Sequence, residues 1–292
     1  MKLIEPKIEL WSEEGVTPGQ HIARCARTCY GHEDKAPNQE ADKKMVDGLI
    51  KRGHCSMLRH SSKYVFNRIK DFAQYINASA YWSNDRYYGY ASTNLQEFRN
   101  VKHIFGNHED DGLIEIIGNK AFLEKCSKVS ELFKLYRLTF CITTQISTSR
   151  ELNRVSPNNI AERSTRYVKS DKGLEICRPW CFGYTLDDQS LVGISKLPTE
   201  ERIFALAWRE AEYYYNEAIK NGMKPEDARG LLPLDTATKV VMTYSVSEWK
   251  HIIDLRYYGT TGTPHPNTKL VIGMVRDKIN KFAKAHNIDY QV

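Results

Sequence analysis

The amino-acid sequence predicts an α+β fold built as one mixed domain. Amphipathic helical patterns occur together with segments rich in β-branched and aromatic residues, which are typical of strands. Hydrophobic residues make up 41% of the 292 positions, which is enough to bury a sizeable core. Because no repeat, low-complexity tract or Gly/Ser/Pro-rich linker divides the chain, we expect a single domain over residues 1–292.

One helix and one strand have a clear pattern in the first third of the chain. NQEADKKMVDGLIKRG places Met45, Leu49 and Ile50 on one side of a helix that Gly53 ends. SKYVFNRI has the composition of a strand. Residues 71–130 are rich in Tyr, Asn and Gly and show the least regular pattern. We expect them to form an irregular excursion or a small subdomain that carries part of a binding wall.

Two strands are predicted in the second half of the chain. RLTFCITTQI alternates Leu138, Phe140 and Ile142 with Thr and Cys residues, which predicts a strand with one buried face. TATKVVMTY is a further strand candidate because it is rich in β-branched residues.

The most regular helical pattern is PTEERIFALAWREAEYYYNEAIKNG. Thr199 is the candidate N-cap of this helix, and Gly222 marks its end. Its apolar residues at helical spacing are Ile203, Leu206, Ala207, Tyr214 and Ala218. Pro225 is placed to begin a short helix, which Pro233 ends.

The charge pattern favours small anions as ligands over nucleic acid. The 42 basic and 36 acidic residues are interspersed and leave a formal charge of +6, so no basic stripe is formed. No apolar run approaches the roughly 18 residues of a membrane span, and the first residues lack the apolar segment of a secretion signal. We expect a cytoplasmic protein without membrane or nucleic-acid partners.

The cysteines indicate reduced thiols. Their number, seven, is odd and their spacing is scattered, unlike a disulfide framework. Cys177 and Cys181, with His54 and Cys55, could be considered as metal ligands, but their spacing is not that of a usual zinc pair. We therefore expect no metal site.

Two arginines occur in apolar helical contexts near the C-terminus. In VSEWKHIIDLRYYG, Ser247 can cap a helix on which Arg256 shares the stripe of Trp249 and Ile252. DARGLLPLDT carries Arg229 in a second apolar stretch. A single such arginine is more often structural, with its head reaching solvent. Two in neighbouring elements make an anion site more credible.

A charge-rich stretch, ELNRVSPNNIAERSTRY, follows the strand RLTFCITTQI. A solvated loop is the common meaning of such a stretch, and a binding loop is the alternative. Ser164 lies within it as a conceivable nucleophile, but no base is identifiable beside it in the sequence. His54 and His265 lie in expected loops or helix starts, where free N–H groups can meet a phosphate; a solvated histidine is the alternative.

These segments, taken together, resemble the flavin-dependent thymidylate synthases. The family signature is Arg-His-Arg, seven residues, Ser, and a short run that ends in Arg-Tyr. It is similar here to Arg154-Val155-Ser156, PNNIAER, Ser164 and Thr165-Arg166-Tyr167. RGHCSMLRH is similar to the family's Gly-His-Glu-Ser segment, and ARGLLPLDTATKVVMTYSVSEWKHIIDLR is the closest match. YASTNLQEF and GLEICRPW resemble segments of the longer-chain branch.

The resemblance implies an enzyme that methylates dUMP to dTMP. Methylenetetrahydrofolate would supply the methylene group, and bound FAD, reduced by NADPH, the reducing equivalent. The resemblance also implies a central sheet flanked by helices, a homotetramer with active sites between subunits, and chemistry without a protein nucleophile.

The resemblance also assigns residues to the site. Arg256 and Ser164 are the expected catalytic residues. The positions that match dUMP contacts are Glu151, Glu162, Ser164, Thr165, Arg166, Arg229 and Arg256. The positions assigned to FAD are His54, Ser56, Arg59, Arg154, Asn159, Ser245, His251 and His265.

The sequence departs from the family pattern in the flavin half of the site. Val155 and Ser156 stand where the signature has His and Arg, Cys55 replaces a Glu, and Arg59 occupies a usually acidic position. Losing two charge-assisted bonds at about 1.5–3 kcal/mol each would weaken flavin binding by roughly two to four orders of magnitude. Relocated guanidinium groups of Arg59 and Arg163 would restore that charge. The alternatives are a paralogue that modifies another pyrimidine nucleotide at carbon 5, and a non-catalytic nucleotide-binding protein that has lost FAD.

Overall fold

The computed structural model describes residues 1–67, 79–82, 89–105, 114–155, 159–166, 173–183 and 190–292. Helices and strands are mixed along the chain, which confirms the α+β prediction. The strands are β1 Lys2–Ile4, β2 Lys7–Trp11, β3 Ser62–Asn67, β4 Ser79–Trp82, β5 Gly89–Asn94, β6 Ile114–Ile117, β7 Arg137–Gln145, β8 Ile160–Glu162, β9 Glu175–Cys177 and β10 Ala237–Ser245.

The α-helices are α1 Pro18–Thr28, α2 Gln39–Lys51, α3 Leu95–Phe105, α4 Asn119–Lys128, α5 Ile146–Leu152, α6 Leu191–Ser195, α7 Thr199–Lys220, α8 Pro225–Ala228, α9 Val246–Ile253 and α10 Pro266–Ala285. Short 3-10 turns cover Cys55–His60, Ser130–Leu135 and Arg229–Leu231, and a π-helical turn covers Asp254–Tyr258.

The central sheet has the strand order β2–β7–β10–β8 and is antiparallel. Its longest ladder joins β7 to β10, from Ala237 opposite Gln145 to Ser245 opposite Arg137. A second antiparallel sheet has the order β4–β5–β3–β6, and β1 pairs with β9 in parallel. Both strands of the long ladder, and the strand in SKYVFNRI, were predicted from their sequences.

Strand β7 is buried on both faces, so the prediction of one buried face was wrong. Phe140 and Ile142 point into the main core, where they pack with residues of α9 and α10. Thr139 and Cys141 point to the opposite face, toward α1. The alternation of the sequence is real, but its smaller residues face a second layer of helices instead of water.

Buried polar side chains connect that second layer to the sheet. Nε2 of His21 lies 3.1 Å from Oγ1 of Thr139, which lies 2.8 Å from Oγ1 of Thr243. Nδ1 of His60 lies 2.9 Å from the same Thr243 oxygen. All four side chains are buried. The chain of contacts fixes α1 and the 55–60 turn to the face of the sheet, because each polar group would otherwise be left unsatisfied.

Residues 71–130 contain more regular structure than the sequence predicted. Strands β4, β5 and β6 and helices α3 and α4 lie there, and they form most of the second sheet. The cross-strand pairing with β3 supplies the order that the local pattern does not show. The rest of the expected excursion, 71–78, 83–88 and 106–113, lies outside the described residues.

The boundaries of two helices differ from the prediction. Pro198, not Thr199, occupies the N-cap of α7. Helix α9 is capped by Ser245 instead of Ser247, and Ser245 forms a reciprocal capping box with Glu248. The predicted ends at Gly53, which follows α2 with a φ of 75°, and the start of α8 at Pro225 are confirmed.

The apolar stripe predicted for α7 is exposed on the surface of the chain. Ile203 is 62% exposed and Tyr214 is 56% exposed. The residues that α7 does bury are Ala205, Trp208 and Tyr215, and the first two join a separate core cluster. The helix therefore has two apolar faces, and a single sequence pattern could not tell which one would be covered.

The buried histidines give an expectation for stability against pH. Burial lowers the pKa of His21, and it lowers the pKa of His60 from 6.5 to about 3. The folded chain therefore resists protonation of both rings, whereas the unfolded chain protonates them below about pH 6.5. The free energy of unfolding should be highest above pH 6.5 and should fall as the pH decreases to 5. The slope from His60 should approach about 1.4 kcal/mol per pH unit, and His21 should add a contribution of the same sign.

Denaturant unfolding between pH 7 and 5 measures this slope. His60→Asn should give a flatter profile than the parent chain, because one proton-linked group is removed. The exposed His54 provides the control, since His54→Gln should leave the slope unchanged. An identical slope in His60→Asn and the parent would contradict the expectation.

Candidate active site

The segment 159–166 contains most of the residues predicted to bind a nucleotide, and we call it the nucleotide segment. Its strand, β8, pairs with β10, with Glu162 opposite Val240. The Glu162 carboxylate accepts hydrogen bonds from Oγ1 of Thr238 at 3.1 Å and from Nδ2 of Asn153 at 3.2 Å. These two bonds hold Glu162 in one orientation at the edge of the central sheet.

A buried ionic cluster links the nucleotide segment to β10. Glu33 accepts from Nζ of Lys239 at 2.5 Å and from a guanidinium nitrogen of Arg163 at 3.4 Å. Burial alone would raise the pKa of Glu33, but its bond to Lys239 and the charge of Arg163 lower it overall. Because the Arg163 head is occupied by Glu33, its predicted role as a relocated flavin ligand is not supported by its geometry.

Ser164 is held by its backbone. Its N–H donates to the carbonyl of Cys29 at 3.0 Å, and its hydroxyl oxygen accepts from the backbone N–H of Arg166 at 3.2 Å. Within the described residues, no basic side chain hydrogen-bonds to this hydroxyl. Ser164 therefore shapes the turn that presents the half-buried Thr165 and the exposed Arg166. No activated nucleophile is built at this position.

Arg166 and Glu226 come from distant parts of the sequence and form an ion pair. A guanidinium nitrogen of Arg166 lies 3.1 Å from the carboxylate of Glu226 on α8. Arg229 is the C-cap of α8, three residues after Glu226, so both lie on one side of the helical turn. Arg229 is exposed, which corrects its expected position inside an apolar helix, because Ala228 takes the buried place.

Glu151 is fixed by the C-terminal helix. Its carboxylate accepts a hydrogen bond of 2.8 Å from Oγ1 of Thr268 in the first turn of α10. Asn153, the C-cap of the same helix α5, donates to Glu162. Helix α5 thus links two of the acidic residues that were predicted to face the nucleotide.

Arg256 lies in the π-helical turn Asp254–Tyr258 that follows α9. The sequence predicted a continuous α-helix with Arg256 on its buried stripe, whereas the structure leaves the residue half-buried. Its Nε atom is buried and has no hydrogen-bond partner among the described residues. A π-turn is rare and occurs frequently at functional sites. The guanidinium therefore has an unpaired N–H donor at a position where the helix changes from α to π geometry.

The 3-10 turn Cys55–His60 carries two of the residues assigned to FAD, Ser56 and Arg59, and His54 occupies its N-cap. His54 and Ser56 are exposed. Nε of Arg59 donates to the side-chain oxygen of Gln96 at 2.7 Å, so this guanidinium is directed toward α3. His60 ties the turn to Thr243 of β10.

A cavity of about 220 Å³ lies beside the position where the signature departs from the family. Its walls include Val155, Tyr244 and the exposed His251. Ser245, also assigned to FAD, is buried and caps α9 instead of facing the cavity. Ser156 and Tyr167 lie outside the described residues.

The remaining FAD candidates are spread along the central sheet. The backbone N–H of the buried Asn159 donates to the Tyr244 hydroxyl at 3.2 Å. Arg154 is exposed. His265 caps α10 and is close enough to Asp235 for its charge to oppose the burial that raises the pKa of that carboxyl.

Within one chain these flavin candidates do not converge. Thr243, which holds the 55–60 turn, and Tyr244, which lines the cavity, are neighbours in β10 and point to opposite faces of the sheet. The His54 and His251 groups are therefore separated by the sheet itself. Among the nucleotide candidates, α5 is linked to Glu162 of β8 and Arg166 is linked to Glu226 of α8, whereas Arg256 lies in the π-turn after α9.

A protein-family comparison decides what the chain is. The model of the family described as "Thymidylate synthase complementing protein" matches residues 82–270, about two thirds of the chain. The chain belongs to this family. The matched residues include the nucleotide segment, Arg229, Arg256, His251 and His265, but not the 55–60 turn.

Curated relatives match this chain over shorter segments. The flavin-dependent thymidylate synthase of Synechocystis sp. is 36% identical over 61 residues, which cover 21% of this chain and 28% of that protein. The enzyme of the same name from Halobacterium salinarum is 39% identical over 56 residues, covering 19% and 23%. The matches thus span under a third of the length of these relatives.

Among solved structures, the chain is similar to a UMP/dUMP methylase, PolB, from Streptomyces cacaoi, bound with 5-Br dUMP. The TM-score is 0.44 with 15% identity, and the similarity covers 97% of this chain and 93% of that chain.

The chain presents hydrogen-bond donors that fit a flavin nucleotide. The side chains of His54, Arg154 and His251 are exposed and make no hydrogen bond within the described residues. A pyrophosphate and a ring carbonyl need such donors. Val155 offers none, so at that position the fit rests on shape and on His251 beside it.

Three further features of the described residues concern metal ligands, cysteine pairing and membrane-spanning helices. No cluster of three or more His, Cys, Asp or Glu side chains among the described residues could hold a metal ion. All seven cysteines are unpaired. Across the described parts of the chain, no helix combines the length and apolar character needed to cross a membrane.

Sequence reasoning missed the residues that hold the candidate site in place. Glu33, Thr238, Glu226 and Thr268 each bind a predicted site residue. Lys239 carried the one usable signal, because a lone lysine inside the strand pattern TATKVVMTY requires an acidic partner. The sequence around Glu33 gives no indication that this carboxylate is the partner.

Glu33 should therefore be a main determinant of stability near the site. Glu33→Gln removes the charge that offsets Lys239 and Arg163, and we expect it to lower the free energy of unfolding by about 2–3 kcal/mol. Asp34 is the matched control, since it lies 3.6 Å from the same lysine but its side chain is 83% exposed. Asp34→Asn should cost less than about 0.5 kcal/mol in urea denaturation. Equal losses in the two variants would show that burial of the Glu33 pair is unimportant.

Proposed function

We propose that the chain is an enzyme that methylates dUMP to dTMP with methylenetetrahydrofolate, FAD and NADPH. One observation carries the proposal: the unsatisfied, buried Nε of Arg256, in the segment that the family model matches. A buried guanidinium donor without a partner is costly. A nucleotide base with carbonyl oxygens would supply the missing acceptor.

The phosphate of dUMP is assigned to the surface around Glu226, which pairs with Arg166 and precedes Arg229 by three residues. Arg166 and Arg229 are both exposed. A guanidinium fork matches the geometry of phosphate oxygens. On binding, phosphate would replace the Glu226 carboxylate as the partner of Arg166. Thr165 and the hydroxyl of Ser164 lie on the adjoining turn and complete the anion site.

Arg256 is assigned to the uracil ring. When carbon 5 of uracil attacks an electrophilic methylene, negative charge develops on the ring carbonyl oxygen. A fixed cation at that oxygen stabilises the charge more in the transition state than in the ground state. Glu151 and Glu162, each held by hydrogen bonds from neighbouring elements, are positioned to accept from ring or sugar donors.

The thiols give independent support for chemistry without a protein nucleophile. Burial raises the pKa of Cys25 and Cys29 near the nucleotide segment, and it raises that of Cys141 to about 12. A thiol, unlike a thiolate, is a poor nucleophile. These cysteines therefore do not provide the covalent attack on carbon 6 that a cysteine-dependent mechanism requires.

FAD is assigned to His54, Ser56, Arg154 and His251. Arg59 lies in the same 55–60 turn as Ser56. When bound, the flavin supplies the hydride equivalent that converts the transferred methylene to a methyl group. The protein's own part is to present imidazole and guanidinium donors and to keep solvent from the 220 Å³ cavity beside Val155. The unpaired cysteines fit a reducing compartment, for which we propose the cytoplasm.

A homotetramer would bring the separated flavin candidates together, because the His54 and His251 groups lie on opposite faces of one chain's sheet. The outward apolar face of α7 is the surface we assign to subunit contact. Large apolar side chains exposed on one helix are typical of an interface. Those on α7 are Ile203, Phe204, Leu206, Tyr213 and Tyr214.

Val155 supports a second candidate, a nucleotide-binding protein without FAD. This buried apolar residue stands where the family signature has a histidine, and it makes one wall of the cavity apolar. The nucleotide residues do not depend on that wall, so they could persist without flavin.

One experiment separates the two candidates. The purified protein is incubated with FAD, its flavin absorption is recorded with and without dUMP, and methyl transfer from labelled methylenetetrahydrofolate is followed with NADPH present. Flavin binding and labelled dTMP support the enzyme. Tight dUMP binding without flavin uptake or transfer supports the second candidate. UMP and dCMP in parallel reactions test whether another pyrimidine nucleotide is modified instead.

The assembly leads to a separate expectation. Ile203→Arg places a charge on the apolar face of α7 and should reduce the particle from four 33.7 kDa chains to smaller species in light scattering. Because Ile203 is already exposed in the chain, the melting of the isolated subunit should change little. The control is Val129→Arg, at a 43% exposed apolar residue away from α7, which should leave the mass unchanged. A tetramer that survives Ile203→Arg would exclude this face as the contact.

A further inference from the structure

Tyr257 directly follows Arg256 in the π-turn, and its ring packs on one face of α10. A Cβ atom built at Gly273 would lie 2.9 Å from Cε2 and 3.2 Å from Cδ2 of the ring. Any residue larger than glycine at this buried position would displace the tyrosine. Gly273 therefore forms a slot in the helix that fits the ring.

Two cations border the same slot. The guanidinium carbon of Arg276 lies 4.3 Å from the centre of the Tyr257 ring, and Nζ of Lys269 lies 5.5 Å from it. Arg276 is in turn held by two hydrogen bonds of 3.0 and 2.7 Å to Asp277. Residues 269, 273 and 276 share one helix face by their spacing. Both cations lie within the range of attraction to the π-system of the ring.

The exit of the π-turn is equally constrained. Gly259 has a φ of 73°, and its N–H donates to the carbonyl of Asp254. A Cβ atom at Gly259 would lie 2.9 Å from the Gly262 carbonyl oxygen and from Cδ of Pro264. A side chain there would be both strained and in collision. The turn that contains Arg256 is therefore fixed by Tyr257 on one side and by Gly259 on the other.

Arg256 itself has no such restraint. In the described part of the chain its guanidinium forms neither an ion pair nor a hydrogen bond, although Nε is buried. The Cα–Cβ direction from which this side chain starts is set by the backbone of the π-turn. That backbone is held by the neighbouring Tyr257, whose ring is enclosed.

We infer that Tyr257, enclosed by Gly273 and Arg276, is the positioning residue that aims Arg256 at the nucleotide. The inference rests on the proposed function, since it presumes that Arg256 binds dUMP. Pre-organised aim matters because a displacement of about 1 Å in a binding group can cost roughly a hundred-fold in rate. Packing alone would explain a bulky side chain at Tyr257, but it would not couple Gly273 to nucleotide affinity through Arg256.

The test measures dUMP affinity by calorimetry and melting temperature for matched variants. Gly273→Ala should weaken dUMP binding by about ten-fold or more, because the ring and the π-turn shift. Gly48→Ala is the control, since a Cβ atom in helix α2 would meet only the Arg52 side chain at an ordinary 3.5 Å. Arg276→Met should weaken binding without unfolding the chain.

The decisive measurement is a double-mutant cycle. In an Arg256→Ala background, Gly273→Ala should have no further effect on dUMP affinity, because the group that it misaims is gone. If Arg256→Ala alone leaves dUMP affinity unchanged, the proposed function of Arg256 fails, and the positioning role fails with it. If Arg256→Ala weakens binding but Gly273→Ala and Arg276→Met bind as the parent does, only the positioning role is overturned. Additive losses in the cycle would also overturn it, because they would mean that Gly273 acts independently of Arg256.

Discussion

The antiparallel ladder between β7 and β10 is the constraint on which the rest of the structure depends. It runs from Ala237 opposite Gln145 to Ser245 opposite Arg137. Helix α5 follows β7 directly and helix α9 follows β10, so the two helices leave from opposite ends of the ladder. The backbone N–H of Ile146, the first residue of α5, donates to the carbonyl of Thr236 at 3.0 Å. The register of this ladder thus determines where α5, which carries Glu151, and α9, which carries His251, begin.

Charge burial differs between the two halves of the site. In the proposed nucleotide half, Glu33 neutralises Lys239 and Arg163 beside β8, while Arg166 pairs with Glu226 at the surface. In the proposed flavin half, Val155 and Tyr244 form an apolar wall beside His251. Flavin binding there would depend more on shape and less on fixed charge, because Val155 stands where the family signature has a histidine.

The proposal of a site shared between chains rests on the central sheet. Thr243, which contacts the 55–60 turn, and Tyr244, which lines the cavity beside His251, point to opposite faces of that sheet. The uncovered apolar residues of α7 are the surface proposed for the contact between chains. The family match over residues 82–270 spans both features, the cavity and α7.

The sequence by itself determined the mixed fold class, strands β3, β7 and β10, and helices α2 and α7. These elements follow from local periodicity and from short motifs, which physical chemistry dictates within a few residues. The nucleotide role of segment 159–166 was implied by the family resemblance and stays a prediction. Only the tertiary structure decided that β7 is buried on both faces, that the Ile203 side of α7 is uncovered, and that Arg163 is taken by Glu33. It also decided that Arg256 leaves its predicted helix in a π-turn. The reason is that covering layers, buried ion partners and the slot at Gly273 come from residues far away in the chain, which no local pattern encodes.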